Sequence, residues 1–195
     1  MFNKIRLFLV AMYAALVRAW ALNGELGGYV HDTHMSQFIP PTAFHCVTGT
    51  YTWTAGVVAG TISKHKASNS ETTVVNIPIM IPSNSVALKG AKLTSVEVDY
   101  ELTGAAATSV TASMNKITRN VDGTALGVTA VTVTQSPAAT GAGGAQLEDQ
   151  HRLTVTVTTP AWIDHEEYYL LVLTIVASTA VIELLGAVAN FTFRA

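Results

Sequence analysis

Thiols are almost missing from this 195-residue chain: Cys46 stands alone, so an intrachain disulfide is impossible. Its setting in the apolar run Ala43-Phe44-His45-Cys46-Val47 reads as a buried, inert sulfhydryl. Charge is scarce as well, at 12% of residues, about half the ~25% of ordinary soluble domains. Something other than water is therefore expected to cover part of the surface. Eleven basic against 13 acidic residues give a net charge of −2 without a basic stripe, which speaks against nucleic-acid binding. Gly-x-Ser-x-Gly does not occur, and Gly141-Ala142-Gly143-Gly144 lacks the Lys-Ser/Thr that completes a phosphate loop. No enzyme activity, catalytic residue or cofactor is expected from such a chain.

What the chain has in quantity is alternation. Leu153, Val155 and Val157 interleave with Thr154, Thr156 and Thr158, the period-2 mark of a half-buried strand. Comparable runs lie at 43–47, 51–62, 72–81, 93–102, 110–119, 128–134, 153–158, 168–177 and 181–193. Short strands at this spacing predict an all-β, antiparallel, jelly-roll-like sandwich over residues 42–195. The run 93–102 sets Val96, Val98 and Tyr100 against Ser95, Glu97, Asp99 and Glu101, so one of its faces meets solvent or a polar partner. By contrast, 168–177 and 181–193 are apolar on both faces, which requires a central position or a covering element. Asp122-Gly123 predicts a tight turn, and the low-complexity stretch Ser136 to Ala145 a mobile or partner-ordered loop.

Residues 1–22 differ in kind. Lys4 and Arg6 precede an apolar stretch from Leu7 to Val17, and Ala19-Trp20-Ala21 matches a signal-peptidase site. Arg18 interrupts the stretch, so a retained helix is preferred to a cleaved leader, and the stretch is shorter than the ~20 residues that span a bilayer. Ala11, Ala15 and Ala19 form a small-residue row beside the bulky row ending at Trp20, a pattern that lets helices approach closely. These four are the candidate assembly residues. The segment packs against its own copies, a membrane or a shell, or else folds onto its own sandwich. Residues 23–41, with three glycines, two prolines and no sustained period, read as a connecting arm.

Other clusters have ordinary readings beside the chemical ones. His31-Asp32-Thr33-His34 with His45 has too few ligands for a closed metal site, and solvated histidines are preferred. Asp164-His165-Glu166-Glu167 is the densest titratable group, yet it sits where a solvated turn belongs, with no partner nucleophile in sequence. Asn190-Phe191-Thr192 matches a glycosylation sequon inside a predicted buried strand. Trp53, Trp162, Tyr51, Tyr168 and Tyr169 can pave a sugar-binding surface, because flat aromatic faces stack on pyranose rings; core packing is the commoner use.

A set of longer segments carries a resemblance. Val75-Asn76-Ile77-Pro78-Ile79-Met80-Ile81-Pro82-Ser83-Asn84, Lys89 to Val96, Thr158-Thr159-Pro160-Ala161-Trp162-Ile163-Asp164, Glu167-Tyr168-Tyr169-Leu170 and Leu185 to Thr192 together resemble uncharacterised β-sandwich proteins encoded among structural genes of phages and environmental viruses. The resemblance covers residues 42–195 and implies a virion-associated structural role, with no catalytic residues to carry over. The expectation is a non-enzymatic capsid, decoration or fibre subunit. It self-assembles through strand faces and its N-terminal helix and arm, with other virion proteins as partners and membrane contact through residues 1–22. The alternative is a secreted or cell-surface, lectin-like binding module or filament subunit, exported by residues 1–21 as a signal peptide.

Overall fold

The computed structural model describes residues 32–49, 51–55, 62–66, 71–83, 90–120, 123, 125–176 and 179–194, with backbone alone for 52–55 and 62–66. The helix expected over 1–22 and most of the arm lie outside the described residues.

Twelve strands are described: β1 (Thr33–Ile39), β2 (His45–Thr48), β3 (Thr52–Ala55), β4 (Ile62–Lys66), β5 (Thr72–Ile79), β6 (Gly90–Thr103), β7 (Ser109–Thr118), β8 (Gly127–Val131), β9 (Val133–Ser136), β10 (Asp149–Val157), β11 (Glu167–Val176) and β12 (Val181–Arg194). They form two antiparallel sheets. One has the order β3-β4-β12-β6-β10-β9, with β1 also paired to β12; the other runs β2-β5-β11-β7-β8. The all-β sandwich expected from the alternating runs is therefore observed. Its core is the inward set of both sheets, with Val96, Val98, Tyr100, Leu153, Leu171, Leu173 and Ile182 fully shielded from water. Burying a Leu, Ile or Val of this kind is worth about 1.5–3 kcal/mol each.

Several expectations are corrected in detail. Residues 33–39, read as part of the arm, pair with β12 from Thr33↔Phe193 to Ile39↔Ala187. All but Ile39 are exposed, so the strand is held by its main chain and shows no buried periodicity. The single run at 51–62 is a hairpin instead, β3 folding back on β4 with Thr52 opposite His65 and Ala55 opposite Ile62. The run at 128–134 splits at Thr132, where the chain leaves one sheet for the other.

The strand β11 is central in its sheet, flanked along its length by β5 and β7, which closes both of its hydrogen-bonding edges and leaves one side-chain face outward. Its inner residues Tyr169, Leu171, Leu173 and Ile175 are buried and its outer ones half-buried. Likewise β12 has β6 on one edge and β1 and β4 on the other.

The 137–148 loop is tied down rather than free. Tyr100 Oη donates to Ala145 O at 2.6 Å, Ala145 N–H to Ala138 O at 2.8 Å, and Ala107 N–H to Gln146 O at 2.8 Å. Ala145 is fully buried, and burial pushes the Tyr100 hydroxyl pKa well up, so this phenol stays a hydrogen-bond donor at any ordinary pH. Within the loop Gly144, Ala145 and Gln146 are buried, and the rest is half-buried or exposed. Cys46 is half-buried on β2, not fully enclosed.

Candidate functional site

The ends of β5, β7 and β10 and the starts of β6, β8 and β11 meet at one end of the sandwich. Three short bonds knit the loops there: Ala91 N–H donates to Pro82 O at 2.9 Å, Ile163 N–H to Ala91 O at 2.9 Å, and Arg119 N–H to Glu166 O at 2.8 Å. Of the expected Asp122-Gly123 turn only Gly123 is described, at φ +74° with its N–H donating to Asn120 O at 3.3 Å.

Between these loops lies an open cleft of ≈ 440 Å³, lined by Met80, Ile81, Ser83, Arg119, Leu126, His165, Glu166, Glu167 and Tyr168. Met80 and Leu126 are 68% and 57% exposed, so they present apolar surface there. A cleft of this size suits a small organic ligand.

The turn Asp164-His165-Glu166-Glu167 is the solvated turn expected, and the hydrogen bonds explain its shape. Asp164 O accepts from Glu167 N–H at 3.1 Å, and Asp164 Oδ1 from His165 N–H at 2.7 Å, with His165 Nδ1 at 2.8 Å from the same oxygen. Glu167 closes the turn from the other side, its Oε2 accepting from Asp164 N–H at 3.0 Å. Its Oε1 lies 2.6 Å from Lys116 Nζ and accepts from Thr118 Oγ1 at 3.4 Å. Burial alone would raise the Glu167 pKa, but the bonds from Lys116, the Asp164 amide and Thr118 outweigh it and hold the carboxyl below the usual range. It is a fixed anion that positions the turn, unsuited to donating a proton. Glu166 and His165 project at the rim, their side chains 3.8 Å apart at Oε1 and Nε2.

The aromatic residues singled out in sequence separate sharply. Tyr169 is core, only 2% exposed, and Tyr51 is mostly buried, its hydroxyl pKa pushed up by burial. Trp162 is enclosed by cations, with Lys92 Nζ 5.0 Å and the Arg194 guanidinium 5.2 Å from its ring centre. Asp32 ties both, at 3.6 Å to Lys92 and 2.6 Å to Arg194, so this ring is a packing element of the β1–β12 border. Only Tyr168 lines the cleft; the side chain of Trp53 lies outside the described residues. Sequence reading missed Arg119, Met80 and Leu126, whose convergence depends on loop closure and has no local signature.

Of the histidine group, His34 and His45 are exposed on separate sheets, His31 lies outside the described residues, and Asp32 is engaged by cations. Among the described residues no group of three His, Cys, Asp or Glu side chains is placed to hold a metal. The candidate assembly residues Ala11, Ala15, Ala19 and Trp20 lie outside the described residues. Among the described residues no helix is long and apolar enough to cross a membrane.

No family model matches the chain, and no curated protein matches it. Solved structures do. A carbohydrate-binding module from the β-sandwich superfamily is 10% identical at TM-score 0.38, over 82% of this chain and 56% of the other. The xylanase 10B modules of Clostridium thermocellum, complexed with xylohexaose, are 8% identical at TM-score 0.39, over 85% of this chain and 28% of the other. A family 61 carbohydrate-binding module, in complex with β-1,4-galactotriose, is 9% identical at TM-score 0.34, over 88% and 93%. This chain thus spans little more than half the length of the first and under a third of the second. The expectation of a phage-like virion subunit, and of a virion location, is corrected here: these structures are carbohydrate-binding modules and not virion proteins.

Proposed function

We propose that the chain is a non-catalytic, lectin-like binding module of a secreted or cell-surface protein, and that it holds a carbohydrate in the loop-end cleft. The observation that carries this reading is the two-sided chemistry of the cleft. A pyranose presents an apolar C–H face and a rim of hydroxyls. Tyr168, Met80 and Leu126 offer apolar surface, while Arg119, His165 and Glu166 offer hydrogen-bond donors and acceptors in the same lining. Charge-assisted hydrogen bonds are the strong ones, and a site built to bond hydroxyls rejects ligands that lack them.

Strand order supports the finer fold reading. Taking β4-β12-β6-β10 against β5-β11-β7-β8, successive strands cross between sheets in the jelly-roll manner, a topology shared by lectin and capsid domains. Export fits the Ala19-Trp20-Ala21 pattern, and a mature chain beginning at Leu22 is the expected mass-spectrometric result.

The binding test is calorimetric titration of the full chain with a panel of neutral and acidic oligosaccharides. Tyr168→Ala is expected to weaken binding about tenfold, or about 1.4 kcal/mol, with the fold retained. Absence of binding across the panel, or affinity indifferent to Tyr168→Ala, overturns the reading.

A further inference from the structure

The outer face of the larger sheet carries a second set of oriented groups, on residues other than those of the cleft. Phe38 on β1 lies opposite Val188 of β12 and points away from the core, 63% exposed. Among the described residues it is the sole aromatic in the set of exposed large apolar side chains. Its seat is built. The register of β12 on β6 shifts between Leu184 and Gly186, and Gly186 takes φ +147°. A Cβ at Gly186 would stand 2.8 Å from Phe38 Cε2 and 2.9 Å from Cζ. The ring tip therefore rests on bare backbone while the rest of the ring faces water.

Beside it, Asn190 of β12 is fixed from the two neighbouring strands, β1 and β6. Its Oδ1 accepts from Ser36 Oγ at 2.7 Å, and its Nδ2 donates to Ser95 Oγ at 3.3 Å and Glu97 Oε1 at 3.2 Å. Farther along, Arg152 makes two bonds to Asp99, at 2.8 and 3.2 Å. These polar groups are oriented before any ligand arrives, which reduces the ordering cost of binding, and the carboxylates keep acceptor positions to spare.

We propose that this face, from Phe38 across Asn190 and Glu97 to Asp99, is a second binding surface for an uncharged glycan chain. The inference rests on the glycan-binding reading of the loop-end cleft for its ligand class, but on different residues. Crossing β1, β12, β6 and β10 takes three strand spacings, about 14 Å, room for an oligomer lying across the strands. Charge selects the ligand: Glu97, Asp99, Glu101 and Glu183 outnumber Arg152 on this side, so carboxylated or sulfated chains meet repulsion.

The test titrates the full chain with the disaccharide and hexaose of glucose, mannose and xylose, using native protein, Tyr168→Ala, Phe38→Ala and Asn190→Ala, with thermal melts to confirm folding. Phe38→Ala and Asn190→Ala are expected each to weaken the hexaose at least fivefold and leave the disaccharide unchanged, whereas Tyr168→Ala weakens both. A hexaose that binds through Tyr168 and ignores both face variants overturns this inference and leaves the cleft standing. Loss at the face variants alone keeps the face and removes the cleft. Failure of every sugar to bind removes both, and a sulfated hexaose that binds as well as the neutral one through Phe38 overturns the charge argument.

Discussion

Gly186 shows what one residue does in this sandwich. Positive φ excludes side chains that need the ordinary β region, and the Phe38 ring occupies the place of a Cβ. Gly186→Ala is expected to cost about 1–3 kcal/mol, read as a shift in the urea midpoint, and Phe38→Ala in the same chain should return part of that loss. Equal costs in the two backgrounds would show that backbone strain alone is responsible. Tyr100 is the polar counterpart. Removing its hydroxyl leaves Ala145 O unpaired in the core, so Tyr100→Phe should lower stability by about 1–3 kcal/mol and expose the 137–148 loop to protease. None of this is visible in sequence: Gly186 sits in a run of apolar residues without a turn signal, and the partner of Tyr100 lies 45 positions away.

At the level of elements, the end of β7 and the start of β11 are coupled through charge. Glu167 keeps its proton less readily when folded than its ordinary value of 4.5 implies, so the contribution of the Lys116 pair is fully present above about pH 4.5 and is lost as pH falls through the lower folded value. Denaturation midpoints should therefore drop below pH 4.5 in the native protein and drop less in Lys116→Met. Identical pH profiles would refute the coupling. Strands with alternation, such as β5, β6 and β10, were legible in sequence because one face is buried and the other is wet. The strand β1 was not, since an exposed border strand held by main-chain bonds leaves no hydrophobic period. Of the β3–β4 hairpin the run at 51–62 reached β3 and only Ile62 of β4, because Ser63-Lys64-His65-Lys66 carries no apolar alternation.

For the whole molecule, the sandwich class followed from alternation, while the choice between shell subunit and binding module did not. Low charge and doubly apolar strands suit both, and the structure places β11 and β12 inside their sheets with one face of each turned outward. The candidate cleft was half legible. Its acidic turn and Tyr168 stood out, but Arg119, Met80 and Leu126 arrive from loops separated by up to 46 positions and meet only after folding. If the cleft and its loops form one unit with the core, ligand should raise the melting temperature of the entire domain in a single transition; a separate early transition would show that the loop end unfolds on its own.

The ion pair that joins Asp32 to Arg194, 2.6 Å apart, has a practical meaning for anyone handling the protein. It sets Arg194 over the Trp162 ring, three positions before His165 of the cleft lining. An affinity tag or surface tether that begins after Arg194 starts close to the loop that lines the cleft, and a sample immobilised there is expected to bind less ligand than the free protein for that reason alone. Attachment through Thr103, exposed at the other end of β6, keeps the tether away from that loop.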